Sequence, residues 1–338
     1  MRLLTTVAAS TMLALVACGS SATSPPVATS PSSVSGLPAH GRIAFTLEFG
    51  PRGDYGNILA IEPNGTGLRM LTTLTTGRDA DPAWSPKGDQ IFFDVEFPVG
   101  VGQKKATSSN VFSMDSNGGS MRQLTSEPSG VYDGDPVVSP DGTRIAFDRF
   151  DMSGHLTGIW LMNPDGSNVG RVTKPPMSAA GGDQHPDFSP DGTMLVFDRD
   201  GSDNGDGAIY IVGIDGKGLR QVTPASLDAT RPRWSPDGSK LLFGNPDTAS
   251  PDVGRNIYVV DTDGSQQLAL THESGGDFAE SPAWSPDGQM IVFDEEHIGT
   301  NFIAFAVMHA DGSHPIVIWH PAPSLAEFPG GATWGTAP

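Results

Sequence analysis

The chain has 338 residues, a length that allows two ordinary domains or one large repeat domain. It contains 42 glycines and 29 prolines and no long stretch without either, so long helices are excluded and short strands joined by turns are expected. The formal net charge of −19 disfavours binding to nucleic acid or to an anionic membrane surface. These properties predict an all-β protein.

The N-terminus is similar to a bacterial lipoprotein signal peptide. An apolar run begins after Arg2 and ends in the residues LVAC, positions 15–18, which predicts a signal peptide over 1–17 and lipid attachment to Cys18. An ordinary secretory signal with an incidental cysteine is the alternative. Cys18 is the single cysteine of the sequence, so no internal disulfide can form. The apolar run is also shorter than the about 20 residues that a membrane span needs.

Residues 18–40 have the composition of a tether. They are rich in Ser, Thr, Pro and Ala, and no charged residue occurs between Gly19 and His40. Such a segment cannot bury a core, so it is expected to connect the lipid to a folded domain over 41–338. The predicted location is the extracytoplasmic cell envelope, with the chain anchored to a membrane through lipid.

The remainder of the chain is built from a repeated phrase. Its five copies are PAWSPKGDQIFF, PVVSPDGTRIAF, PDFSPDGTMLVF, PRWSPDGSKLLF and PAWSPDGQMIVF. The glycine of the phrase recurs at intervals of roughly 50 residues, and Gly41 in HGRIAF is a sixth copy. Each copy is followed by an apolar run such as IYVVDTDG and by a segment such as RQVT. One unit is therefore predicted to contain four short strands.

The S-P-D-G part of the phrase is typical of a tight turn. Proline fixes φ at the second position and glycine tolerates positive φ at the fourth, which predicts a type I β-turn between the first two strands of each unit. The Ser and Asp residues of these turns are therefore expected to serve folding and not catalysis.

Four-stranded units of this length predict a β-propeller. The first unit begins at Gly41 without a preceding P-x-W-S strand, while the chain ends in GGATWGTAP, in which Trp334 stands where that strand needs its tryptophan. We therefore expect the C-terminal strand to pair with the N-terminal strands. The predicted fold is a six-bladed β-propeller closed in this way.

The repeat resembles the propeller of the TolB family. The phrase W-S-P-D-G-x-x-I-x-F, followed by I-Y-V-V-D-x-D-G and R-Q-x-T segments, carries the resemblance from about His40 to the C-terminus. The resemblance implies a six-bladed propeller, and membership of a Tol-type envelope complex is one role that it allows. TolB has an α/β domain before its propeller, whereas this sequence has the uncharged tether there.

The sequence contains none of the motifs G-x-S-x-G, G-x-x-x-x-G-K-[ST], G-x-G-x-x-G or H-E-x-x-H, so no catalytic residue is predicted. His155, His185 and His297 are expected on connecting loops as solvated residues. An enzyme that acts on saccharides through paired carboxylates at the channel mouth is the alternative to a protein without enzymatic activity.

One segment loosely resembles a calcium-binding loop, although it lacks the bidentate glutamate of such loops. Its candidate ligands are Asp198, Asp200, Ser202, Asn204 and Asp206. Calcium is the one cofactor that this pattern indicates.

The acidic residues are distributed unevenly. Assigning each loop to one end of a propeller places about two thirds of the 39 carboxylates at a single end. Six of them stand just ahead of the innermost strands and are expected to ring the channel mouth: Asp79, Asp81, Asp133, Asp135, Asp183 and Glu280. Ordinary solvation of long loops is the alternative. The sequence thus predicts a monomeric scaffold that binds a basic protein partner or a cation through its acidic face.

Overall fold

The computed structural model describes residues 41–49, 55–73, 77–98, 106–151, 157–176, 182–200, 207–245, 254–297, 302–321 and 328–336. The predicted signal peptide, the tether with Cys18, and His155 lie outside these ranges. The described residues form 24 strands joined by turns, together with one short 3-10 helix at Ala225–Leu227.

The strands form six antiparallel four-stranded blades, of which the first three are joined into one twelve-stranded sheet by short parallel pairings. The first blade contains β1 (Arg42–Phe49), β2 (Tyr55–Ile61) and β3 (Arg69–Met70). The second contains β4 (Gly77–Trp84), β5 (Gln90–Pro98), β6 (Ala106–Asp115) and β7 (Arg122–Gln123). The third contains β8 (Val131–Val138), β9 (Ile145–Asp151), β10 (Gly158–Met162) and β11 (Gly170–Arg171).

The other three blades follow in chain order. The fourth contains β12 (Asp183–Phe188), β13 (Met194–Arg199), β14 (Ala208–Gly213) and β15 (Arg220–Gln221). The fifth contains β16 (Thr230–Trp234), β17 (Lys240–Asn245), β18 (Asn256–Asp261) and β19 (Leu268–Ala269). The sixth contains β20 (Phe278–Trp284), β21 (Met290–His297), β22 (Phe302–His309) and β23 (Ile316–Trp319). The last strand, β24 (Phe328–Gly335), belongs to blade 1.

The ring closes through the C-terminal strand. β24 pairs antiparallel with β1, with Trp334 opposite Ile43 and Gly335 opposite Arg42. The innermost strands β4, β8, β12, β16, β20 and β24 each contact the next one, and β24 returns to β4. The six-bladed propeller and its predicted closure are therefore confirmed.

A hydrophobic cluster fills each of the six interfaces between neighbouring blades. In blade 2, Ile91 and Phe93 pack toward blade 1, while Phe92 between them packs toward blade 3. Successive side chains of a strand point to opposite faces, and both faces of each blade are covered by a neighbour. This is why the second strand of every blade contains an uninterrupted apolar segment, such as Ile91 to Phe93 in blade 2.

The S-P-D-G segments form the predicted turns. In blade 3 the N–H of Gly142, at φ 72°, donates to the carbonyl of Ser139 over 2.8 Å. The Ser139 hydroxyl lies 2.6 Å from the Asp141 carboxylate, which also accepts the N–H of Thr143. Blade 2 has lysine at the aspartate position, and there Ser85 donates to Asp89 instead. These serines and aspartates therefore stabilise the turns.

The fourth strand of most blades is shorter than predicted. In blade 2 it comprises two residues, Arg122–Gln123, because the ladder ends at Thr125. The Thr125 hydroxyl accepts the N–H of Val111 over 3.0 Å and so replaces the next backbone hydrogen bond. Equivalent threonines do the same in four other blades. The short outer strand leaves little exposed edge.

Candidate functional site

The innermost strands surround a channel of about 380 Å³, lined by residues of all six blades. Each innermost strand contains a β-bulge three residues before its tryptophan position, where the ladder shifts register. The residue at the bulge has a positive φ between 45° and 64° in every blade. These bulge residues are Asp81, Asp135, His185, Arg231, Ser281 and Gly331. They mark the channel end at which the innermost strands begin, which we call the acidic end.

A cation crosses the acidic end. The Arg231 guanidinium of blade 5 lies 3.5 Å from the Asp81 carboxylate of blade 2 and 3.7 Å from the Asp135 carboxylate of blade 3. Burial lowers the pKa of Arg231, but the facing carboxylates outweigh burial and raise it, so this side chain stays charged. Because blades 5 and 2 are opposite in a ring of six, Arg231 spans the channel.

His185 is a second cation in this ring. Its Nδ1 lies 2.8 Å from Asp198 Oδ1 and its Nε2 lies 3.8 Å from Asp135 Oδ2. Burial lowers the pKa of His185, yet Asp198 and Asp135 raise it to about 9, so the imidazole is protonated at neutral pH. The expectation that His185 and His297 lie on loops is wrong, because these residues belong to β12 and β21.

A set of carboxylates lies behind the bulges, on the second strand of four blades; three of them are buried and Asp148 is half-buried. They are Asp94, Asp148, Asp198 and Asp294. Asp148 accepts the backbone N–H of His185 over 3.2 Å, and Asp198 accepts that of Arg231 over 2.9 Å. These two carboxylates thus bind the bulge of the following blade, where the irregular ladder frees a backbone donor.

Asp94 differs from these two carboxylates. Its Oδ2 accepts the Ser109 hydroxyl over 2.9 Å, whereas no described residue forms a hydrogen bond with its Oδ1. The side chain is 3% exposed and lines a cavity of about 190 Å³ together with Asp81, Asp135 and Asp148. Burial, followed by repulsion from Asp81 and Asp135, raises the pKa of Asp94 well above its usual range. This cavity has the shape and charge to hold a cationic group.

The six carboxylates predicted at the channel mouth separate into two groups. Asp81, Asp135 and Glu280 lie at the acidic end, within the innermost strands and not ahead of them. Glu280 forms an ion pair of 2.9 Å with Arg255 at its rim.

The other three, Asp79, Asp133 and Asp183, are buried two residues before the bulge. The Asp133 carboxylate accepts two hydrogen bonds from Arg149, at 2.6 and 2.8 Å, and Asp183 pairs in the same way with Arg199. These two aspartates therefore hold arginines within their blades, and both also line the cavity of about 190 Å³ beside Asp94.

Asp79 is the exception among the buried three. Val95 stands opposite it on β5, at the position that Arg149 and Arg199 occupy in the next two blades. Asp79 forms no ion pair within the described part of the chain. Burial raises the pKa of Asp79 to about 7, and the nearby Thr72 side chain offsets this effect only in part. Asp79 is thus a buried acid without a charged partner.

The predicted calcium loop is described only in part. Asp198 lies in β13, where its carboxylate is engaged by His185 and by the N–H of Arg231. Burial raises the pKa of Asp200, and the Asp198 charge raises it further. Ser202, Asn204 and Asp206 lie outside the described residues, so the calcium site stays a prediction.

Several residues of the site were missed from the sequence. An aspartate follows I-x-F or its L-x-F variant in four repeats, and this column contains Asp94, Asp148, Asp198 and Asp294. The residue before the proline of the phrase varies between aspartate, histidine, arginine and serine. Aligning the repeats on these two columns would have indicated the site.

No helix in the described ranges has the length and apolar character needed to cross a membrane.

Comparison with known proteins identifies the architecture. Residues 177–314 match the family model described as the TolB beta propeller domain. The chain is similar to TolB from Acinetobacter baumannii, at 20% identity and a TM-score of 0.67, over 87% of this chain and 66% of that one. It is also similar to a putative TolB from Agrobacterium tumefaciens, at 18% identity and a TM-score of 0.62, over 88% and 99% of the two chains. The fold is that of the TolB propeller.

The TolB-like fold is shared by proteins with different activities. The chain also matches oligogalacturonate lyase from Vibrio parahaemolyticus, at 14% identity and a TM-score of 0.52, over 79% of this chain and 72% of that one. No curated protein sequence matches significantly. This chain spans 66% of the length of the Acinetobacter protein, and likeness at these identities establishes the fold without its activity.

Proposed function

We propose that this protein is an extracytoplasmic, lipid-anchored binding propeller whose acidic end receives a basic segment of a protein partner. The TolB-like fold and the lipoprotein-like N-terminus support a role in an envelope assembly. The observation that carries the proposal is the Asp94 carboxylate, whose Oδ1 accepts no hydrogen bond from any described residue and which lines a cavity shared with Asp81 and Asp135. A buried carboxylate in this state gains most from a cationic ligand.

The geometry also indicates which cationic group fits. Arg231 already places a guanidinium between Asp81 and Asp135, so these carboxylates can accommodate a side chain of that kind. The neighbouring cavity retains the carboxylates of Asp94 and Asp148 and is large enough for one further ammonium or guanidinium group. A lysine or arginine of a partner would complete the charge balance there.

The same charges argue against an enzyme that acts on polyanionic saccharides. An oligogalacturonate is a polyanion, and the carboxylates of the acidic end would repel it more strongly than two bulge cations attract it. The likeness to oligogalacturonate lyase therefore does not extend to this channel.

The test compares two variants that each replace one aspartate by the isosteric asparagine. Asp94→Asn removes the buried carboxylate of the acidic end, and Asp287→Asn removes an aspartate from an S-P-D-G turn at the opposite end. Binding of a fluorescent oligolysine peptide is measured by anisotropy at several salt concentrations. We expect Asp94→Asn to weaken binding about tenfold and Asp287→Asn to change it by less than about twofold. Equal effects of both variants would overturn the proposal and leave only nonspecific attraction to the net charge.

A further inference from the structure

A cluster of metal-ligating side chains lies away from the channel, on the rim between blades 5 and 6. It contains Glu273 and Asp277, from the connector that leads into β20, and His297 at the end of β21. One ligand atom from each residue lies within 4.8 Å of the others, and all three side chains are half-buried.

The orientation of the imidazole is fixed. His297 Nε2 lies 2.8 Å from Glu295 Oε1, and His297 Nδ1 lies 3.0 Å from Asp277 Oδ2. A carboxylate on one ring nitrogen is how proteins commonly hold a histidine whose other nitrogen binds a metal. In this arrangement Glu295 holds Nε2, and Nδ1 points toward the side that carries Asp277.

The cluster has an excess of negative charge. Three carboxylates, from Glu273, Asp277 and Glu295, surround one imidazole. The like charges of these carboxylates repel one another. A divalent cation would offset this repulsion, so the charges and the geometry favour the same ligand.

We propose that Glu273, Asp277 and His297 form a binding site for a first-row divalent transition metal such as Zn²⁺ or Mn²⁺. An imidazole nitrogen with carboxylate oxygens suits these ions, whereas Ca²⁺ and Mg²⁺ prefer sites made of oxygen donors. Tetrahedral coordination with bonds of about 2.1 Å places ligand atoms about 3.4 Å apart, so the three groups need to approach by about 1 Å.

A bound metal would fix the position of the connector that leads into β20. Asp277 immediately precedes Phe278, the first residue of β20, and its carbonyl accepts the N–H of Arg255 from blade 5 over 3.2 Å. A metal shared by Asp277 and His297 would therefore fasten the connector of residues 272–277 to the end of β21. This clamp lies at the rim of the acidic end and is independent of the carboxylates proposed to bind a partner.

The test is calorimetric titration of ZnCl₂, with MnCl₂ and CaCl₂ in parallel, into chelator-treated full-length protein. We expect one tight Zn²⁺ equivalent in the wild type. Glu273→Gln and His297→Ala should each weaken it by at least about tenfold. The control His309→Ala/His314→Ala removes another histidine pair, with ring centroids 5.3 Å apart, and should leave the tight equivalent intact.

Circular dichroism melts in the presence of chelator separate loss of the metal site from loss of folding. Glu273→Gln should melt like the wild type under these conditions, since its side chain is only half-buried. The proposal is overturned if no tight equivalent is found, if it survives in His297→Ala, if the control abolishes it, or if Ca²⁺ binds as tightly as Zn²⁺.

Discussion

The guanidinium of Arg231 reaches 3.5 Å from the carboxylate of Asp81, which belongs to the blade on the opposite side of the channel. The pair is part of a small network, because Asp135 lies within 3.7 Å of Arg231 and within 3.8 Å of His185. Two cations of the protein thus already occupy part of the acidic end. Any ligand of this site has to be accommodated beside them or displace them.

Replacement of Arg231 by glutamine should both destabilise the protein and strengthen binding of a cationic peptide. The variant leaves Asp81 and Asp135 without their shared cation, at a cost of about 1–2 kcal/mol given the partial exposure of the site. Urea denaturation and peptide anisotropy measure the two effects. The control is Arg255→Gln, which removes the ion pair with Glu280 at the rim. It should change the unfolding free energy and the peptide affinity by much less. Unchanged peptide affinity in Arg231→Gln would show that the arginine does not occupy the site.

Asp79→Asn should make the protein more stable at pH 8 than the wild type. Because burial raises the folded pKa of Asp79 to about 7, above the usual value of about 3.9, its contribution favours folding most below about pH 4. That contribution is lost as the pH rises to about 7. The loss in unfolding free energy is about 1.4 kcal/mol for each unit by which the folded and unfolded pKa values differ.

The pH dependence of Asp79 is measured as the difference in unfolding free energy between variant and wild type from pH 4 to pH 8. The control is Asp141→Asn, because hydrogen bonds from Ser139 and Thr143 lower the pKa of Asp141. The contribution of Asp141 is present above about pH 4 and is lost on acidification, so the two variants should have opposite signs. A pH-independent difference for Asp79→Asn would contradict the assignment.

Asp133→Asn should destabilise the protein by about 3–5 kcal/mol, because it leaves a buried guanidinium with one fewer carboxylate. Arg149 is 6% exposed on its side chain, stacks 4.7 Å from the ring centre of Trp160, and has Glu127 as its other anionic partner. Urea unfolding of this variant beside Asp79→Asn provides the comparison. If Asp133→Asn and Asp79→Asn lower the unfolding free energy by similar amounts, the ion pair between Asp133 and Arg149 contributes nothing beyond the burial of the aspartate.

Deletion of Gly330 to Pro338 should lower the melting temperature strongly. It removes Trp334, a buried residue whose loss typically costs about 3–5 kcal/mol, and it exposes the edge of β1. Differential scanning calorimetry measures the change. A Trp334→Phe variant, which keeps the strand but trims the ring, should show a smaller shift, and an unchanged melt of the deletion would contradict a closing role for β24.

Cys18→Ser should release the protein from membranes or leave its signal peptide uncleaved. Two or more acyl chains hold a protein firmly at a bilayer, whereas one chain binds only marginally. Membrane fractionation with mass spectrometry of the mature N-terminus measures the outcome. A wild type that is wholly soluble and carries a free thiol would rule out lipidation.

The fold could be predicted from the sequence because its signals are local and repeated. The Ser139 to Gly142 turn contains its own hydrogen-bond partners, and the apolar second strands satisfy the same packing rule at every interface. The closing strand could be predicted because Trp334 occupies the one place that the first repeat leaves empty. Each of these inferences requires only neighbouring residues.

The candidate site depended on a backbone irregularity that residue types do not reveal. Asp79 and Asp81 are two positions apart, so a regular strand would direct both to one face. The ladder shifts register between Ala80 and Ala83, and the positive φ of Asp81 turns its side chain into the channel while Asp79 stays buried. The contacts of Arg231 across the channel join blades that are far apart in sequence. The spacing of the repeats does not predict such contacts.

The pairing of β24 with β1 also fixes the end of the channel at which the folded domain begins. β1 starts at Arg42 opposite Gly335, where β24 ends, and the Thr336 hydroxyl donates to the carbonyl of Pro86 in the S-P-K-G turn of blade 2. Gly41, where the tether joins the folded domain, is therefore at the turn end of the channel. An innermost strand of eight residues separates the two ends by roughly 26 Å. A tether leading to Cys18 would therefore join the folded domain at the end of the channel opposite the acidic end.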